Sequence, residues 1–188
     1  MAINANAGGI QKPVEKTRGI LWYAEAGSVD ISTITATSDL SDDFTEAGAI
    51  TTDGVTIAAN AGDVETYLDW NGVTFDSSDA TSSPQITFAL LEVLSERAAA
   101  LVYNSSSITS AAGVISKVEG TTNPTNKTLV LDTRIKDTAV RVVFAACSFA
   151  SRGDDVYAND ALYANEVTYS ILSDSNGIDI VRLYGSLA

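Results

Sequence analysis

Enzymes that move protons or acyl groups commonly rely on a histidine, an activated cysteine or a close pair of carboxylates. This chain of 188 residues offers only the last. It has no histidine, which removes the commonest general base, the Ser-His-Asp triad, the Cys-His dyad and most transition-metal sites together. Cys147 is the single cysteine and sits in an apolar run, so it reads as a small buried residue and not a nucleophile. Acid pairs of the glycosidase kind need aromatic and amide neighbours to seat a sugar, and few stand near these acids. Asp42-Asp43 and the DSNG stretch at Asp174 invite calcium, but the EF-hand spacing fails, because its first ligand position falls on Leu172. Arg152-Gly153-Asp154 spells an adhesion tripeptide, a pattern short enough to arise by chance. No phosphate loop or dinucleotide fingerprint occurs. The expectation is a protein that is not an enzyme, with no catalytic residue, no metal and no cofactor.

The acids are informative in another way. The formal charge is −13, yet between Arg18 and Arg97 fourteen acids stand without one base, so the whole imbalance comes from that interval. The stretch FTEAGAITTDGVTIAANAGDVETYLDWNG (44–72) shows it most densely, with Glu46, Asp53, Asp63, Glu65 and Asp69. Such a surface cannot grip nucleic acid, which needs clustered Lys and Arg, and it suits an anionic membrane poorly. It is either a solvated acidic face or a surface that repels a passing polyanion. No apolar run approaches the ~20 residues of a membrane span. Residues 1–19 lack the apolar core of a signal peptide, so synthesis inside a cell is the expectation.

The elements that would position these groups are mostly strands. Residues 1–17 are small and polar and read as a flexible N-terminal arm ahead of one domain over 18–188. DVETYLDW alternates, placing Val64, Leu68 and Trp70 on a core face and Asp63, Glu65 and Asp69 on the other. Asp53-Gly54 and Asn71-Gly72 are hairpin dipeptides. QITFALLEV is strand-like around Phe88, and Ser95 can cap a short helix, ERAAALVY, with Leu101 on its buried stripe. AVRVVFAACSFAS, containing Phe144, is apolar on both faces and belongs at the centre of a sheet. EVTYSIL and IDIVRLYG flank the DSNG turn. The expected fold is mainly β, α+β by strict counting: a sandwich or barrel with one short helix packed against it.

The order of these features resembles the major tail (tail tube) proteins of long, non-contractile-tailed bacteriophages, particularly those of actinobacteria. GILWYAEAGS, GAITTDGVTI, ETYLDWNG, ITFALLEVLSERAAALVY and VTYSILSDSNGIDIVRLYG follow one another over residues 18–186 as in that family. The resemblance implies a β-sandwich subunit that assembles into stacked, hexameric rings around a lumen. It implies partners: further copies of itself, a tape-measure protein, and tail terminator and tail-tip proteins. Double-stranded DNA would pass through without specific binding, and no membrane would be bound.

Carried onto this chain, the ring-stacking loop falls at about 49–62, with Asp53, Gly54, Val55, Thr56 and Ile57 at its heart. Asp63, Glu65 and Asp69 become candidate lumen acids, since a basic lumen would bind DNA where an acidic one keeps it mobile. Trp70, Leu68, Phe88, Leu101 and Phe144 are expected in the core, and the protein in the virion tail, made in the bacterial host cytoplasm. Tubes of contractile tails, injection systems and gene transfer agents share the same expectations. A virion decoration protein, or an adhesion module exposing Trp22 and Trp70 together, is the contrasting class.

Overall fold

The computed structural model describes residues 11–13, 20–59, 66–77, 84–92, 95–103, 108–111, 114–117, 123–135, 137–155 and 163–186. Strands β1 (Gln11–Pro13), β2 (Leu21–Glu25), β3 (Thr45–Glu46), β4 (Ile50–Ala58), β5 (Thr66–Leu68), β6 (Thr74–Ser77) and β7 (Gln85–Leu90) lead to a helix, α1 (Glu96–Val102). After it come β8 (Ile108–Ala111), β9 (Val114–Lys117), β10 (Lys127–Ile135), β11 (Thr138–Arg152), β12 (Asn165–Leu172) and β13 (Ile180–Ser186). The chain is mainly β with one short helix among the described residues, as its alternating patterns predict.

Nine of these strands make one antiparallel sheet, in the order β3-β2-β10-β11-β12-β7-β4, with β1 beside β10 and β13 beside β11. The doubly apolar run is its central strand. β11 pairs with β10 on one side and with both β12 and β13 on the other, because Cys147 faces Lys127 on β10 and Ile171 on β12. β12 and β13 run the same way along β11, facing 146–152 and then 138–144. They are therefore one long rail, interrupted at 173–179, and not a pair hydrogen-bonded to each other. β1 and β2 lie along β10 in the same end-to-end manner. The described part of the expected free arm, Gln11–Pro13, is thus a strand against Thr133–Ile135.

The sheet is rolled. Its edge strands β3 and β4 are joined by Ala47–Ala49 alone, a link of at most about 15 Å between Cα atoms. Laid flat, seven strands would set those edges roughly 29 Å apart. At the seam the Ala47 N–H donates to Leu21 O and the Leu91 N–H to Ala49 O. Gly48 has φ +94°, and a Cβ there would meet the Glu92 carboxylate at 2.9 Å. Glu92 also accepts from the Ala49 N–H, and Arg97 stands 3.4 Å from Glu92 and 3.7 Å from Glu46. One arginine in the first turn of the helix thus reaches both Glu46 on the β3 edge and Glu92, which holds the linker at Ala49.

Inside the roll, Leu21, Ile86, Phe88, Leu90, Leu129, Phe144, Val167 and Tyr169 form the main core, into which α1 lays Ala98 and Leu101. The expected core residues Phe88, Leu101 and Phe144 are all there. Tyr169 stacks parallel to Phe88, meets Phe149 edge-on, and donates its hydroxyl to Leu101 O at the end of the helix. Burial raises the Tyr169 hydroxyl pKa, and it pushes the Cys147 thiol up to about 12, leaving it an inert thiol. Ser95 holds the expected cap position but makes no side-chain cap bond.

The other face of the sheet carries Ala24, Val130 and Val143, covered by Phe44 and by a strap of chain through Val29, Ile31, Ile34 and Leu40. Arg141 fastens the strap. Its guanidinium makes a bidentate pair with Asp132 (2.6 and 2.8 Å) and donates to the carbonyls of Thr35 (2.7 Å) and Ser38 (2.8 Å). Both charged residues are buried. At the start of β10, Lys127 is buried against Glu25 and Thr125 and lies over the Tyr23 ring. For Glu25, burial raises the pKa, but the hydrogen bonds from Lys127 and Thr125 outweigh it and hold the carboxyl below its ordinary value.

Candidate self-association surface

The hairpin β5–β6 stands apart from the sheet as a two-stranded ribbon of its own. Its turn is built by one carboxylate. Asp69 Oδ1 accepts from the N–H groups of Asn71 (2.8 Å) and Val73 (2.9 Å). The Asp69 N–H donates to Val73 O and the Gly72 N–H to Asp69 O, with Gly72 at φ +78°. Only glycine takes that left-handed conformation at no cost, and the Asn71-Gly72 dipeptide announces it in the sequence.

What the ribbon carries is apolar. Tyr67, Leu68, Trp70, Val73 and Phe75 are all exposed, Trp70 completely (101%) and Phe75 at 83%. Single exposed apolar residues are ordinary on a protein surface, whereas five large ones within nine residues mark a contact site. A lone two-stranded hairpin is marginal in water, so this one gains most when its side chains are covered. Leu68 and Trp70, expected in the core, are therefore corrected to surface positions. Their alternation was legible, but the pattern does not say what the apolar face meets, and here Leu68 is largely exposed and Trp70 fully so.

The expected stacking loop also moves. Asp53, Gly54, Val55, Thr56 and Ile57 belong to β4, where Val55, Thr56 and Ile57 pair with Phe88, Thr87 and Ile86. Val55 and Ile57 pack on the main core. The register slips between Ile50 and Val55, so Asp53-Gly54, with Gly54 at φ +77°, is a bulge in an edge strand and not a hairpin turn. Residues 60–62 of the expected loop lie outside the described residues. Of the candidate lumen acids, Asp63 and Glu65 lie outside the described residues. Asp69 is occupied in holding the turn.

Other acids of the base-free interval have local duties. Asp30 caps the short 3-10 turn Ile31–Thr33 by accepting from Ser32, which lowers its pKa, and Glu46 and Glu92 face Arg97. Phe75, Val73 and Tyr67 were missed as surface contacts, although their place on either side of Asn71-Gly72 was a usable signal. Among the described residues no group of three His, Cys, Asp or Glu side chains is placed to hold a metal ion. No helix among them is long and apolar enough to cross a membrane, which says nothing of a β-barrel. In comparisons with known proteins, no family model matches this chain and no curated protein is similar to it.

Proposed function

We propose that this protein is a structural subunit that self-assembles into stacked rings forming a tube, the tail tube of a long-tailed bacteriophage. The observation that carries the reading is the β5–β6 hairpin, an arm of exposed Tyr67, Leu68, Trp70, Val73 and Phe75 held off a rolled β body. An arm of that kind is suited to bridging to the next copy, the part that the family resemblance gives to a stacking loop. The net charge of −13 supports a wall along which DNA slides without adhering. A tape-measure protein, a terminator and tip proteins are the partners this role carries with it.

The adhesion alternative draws on the same exposed tryptophan, but it needs Trp22 beside it. Trp22 instead packs into the cluster beneath the strap, which favours the tube. The experiment is Trp70→Ala compared with the parent by sedimentation and denaturation. Because Trp70 touches nothing in its own chain, the substitution leaves monomer stability within about 0.5 kcal/mol. Large assemblies, formed by the parent on concentration, are lost. Assemblies of unchanged size and yield would contradict the proposal.

A further inference from the structure

Asparagine followed by glycine occurs twice in the chain, at Asn71-Gly72 and at Asn176-Gly177. The pair is chemically labile. Once it has lost its proton, the glycine backbone nitrogen can attack Cγ of the asparagine side chain, because the glycine carries no Cβ to block the approach. Both pairs are exposed, and open space lies where a Cβ on either glycine would stand. Both sit in turns held the same way. The asparagine N–H donates to the aspartate Oδ1 two residues back, and the glycine N–H donates to that aspartate's carbonyl, at 3.0 Å for Gly72 and 3.1 Å for Gly177.

Two observations separate them. The Asn176 side-chain amide donates to Asp174 Oδ2 (3.2 Å), which tethers the reacting group to the turn. The Asn71 side chain makes no hydrogen bond among the described residues, only its backbone N–H being engaged. The turns also belong to different structures. That of Asn176 joins β12 to β13, both paired along β11. That of Asn71 tips β5–β6, a two-stranded sheet by itself. Such a hairpin opens at far less cost than central strands, and opening frees the glycine nitrogen from the aspartate carbonyl.

We propose that Asn71 is a self-modifying site, which converts to isoaspartate and aspartate while Asn176 is protected. The Gly72 nitrogen bonds to Asn71 Cγ, the Cγ–Nδ2 bond breaks, and ammonia leaves with the proton that Gly72 gave up. Water then opens the cyclic imide. Opening at Cγ gives aspartate, and opening at the backbone carbonyl gives isoaspartate, whose main chain is longer by a methylene. Either product sets a new carboxylate beside Asp69 and Trp70. The chemistry stands on the turn alone. Its consequence rests on the self-association reading: copies that age before assembly lose the contact made by the arm.

The dilute protein is held at mildly alkaline pH, native and in urea, and then cleaved at glutamate. The fragments after Glu65 and Glu166 carry the two sites apart, and peptide mapping measures isoaspartate in each. Native conversion is expected about five-fold faster at Asn71 than at Asn176, the worth of one hydrogen bond to be broken, with the rates converging in urea. Equal native rates, or a faster Asn176, overturn the site, and a ratio unchanged by urea overturns its structural cause. Sedimentation at high salt, which screens the repulsion between copies of charge −13, reads the consequence. The unaltered protein is expected to lose large assemblies as Asn71 converts. Asn71→Gln, whose longer side chain cyclises far more slowly, is expected to keep them. Assemblies that survive conversion overturn the consequence and leave the modification. No assembly by fresh protein sinks the tube reading, while the peptide map still decides the site.

Discussion

Arg141 and Asp132 sit opposite one another on the neighbouring strands β11 and β10. In the sequence nothing marks either charge as buried or as the other's partner. The structure buries both, because the strap closes over that face and its carbonyls at Thr35 and Ser38 complete the guanidinium's hydrogen bonds. Nothing local to β10 or β11 encodes the strap, so this pair was illegible. Cys147 was legible, since a lone cysteine within an apolar run is most simply a core residue, and it is fully buried. Removing one partner of a buried pair strands the other charge. Arg141→Met is accordingly expected to cost about 3–5 kcal/mol in urea denaturation. Adding Asp132→Leu should recover much of that loss. A cost below about 1 kcal/mol for Arg141→Met alone would show that the pair does not hold the strap.

The turns repeat at the level of elements. Asp69-Trp70-Asn71-Gly72-Val73 and Asp174-Ser175-Asn176-Gly177-Ile178 have the same D-x-N-G order and the same bonds. In each, the aspartate Oδ1 accepts from the residues two and four ahead, and glycine holds φ near +75° to +78°. The backbone bond from Ile178, with those from Asn176, holds the Asp174 carboxyl below its ordinary pKa. Both turns were legible; their settings were not. One tips a free-standing hairpin, and the other interrupts the rail of β12 and β13, since a turn signal does not name the strand its flanks will pair with. Asp53-Gly54 failed for a related reason, as β4 needed an edge bulge where the dipeptide allows a turn. A Cβ on Gly177 meets nothing within 4 Å, so Gly177→Ala introduces strain alone. The expected loss is about 1–2 kcal/mol of unfolding free energy. Gly177→Asn should lose less, because asparagine tolerates the left-handed region, and equal losses would point to a contact instead of strain.

For the whole molecule, the mainly β class with one helix was legible from alternation, a doubly apolar central run and one helical stripe. The closure of the sheet was not, because it depends on three residues, Ala47–Ala49, spanning two distant edges. The charge block between Arg18 and Arg97 had suggested one continuous acidic face. Among its described members, Asp30 caps a turn, Asp69 holds another, Glu46 and Glu92 flank the seam, and Asp39 and Asp42 lie at the strap rim. In the proposed tube, the charge of the lumen would accordingly be set by the assembly and not by one strand. The central claim is that this rolled body with an apolar arm builds a hollow tube. Electron microscopy of the purified protein, concentrated at low and high salt, tests it most directly. The account predicts rings or hollow filaments with a regular axial repeat, more abundant at high salt and absent with Trp70→Ala. Dispersed single particles under every condition would contradict it.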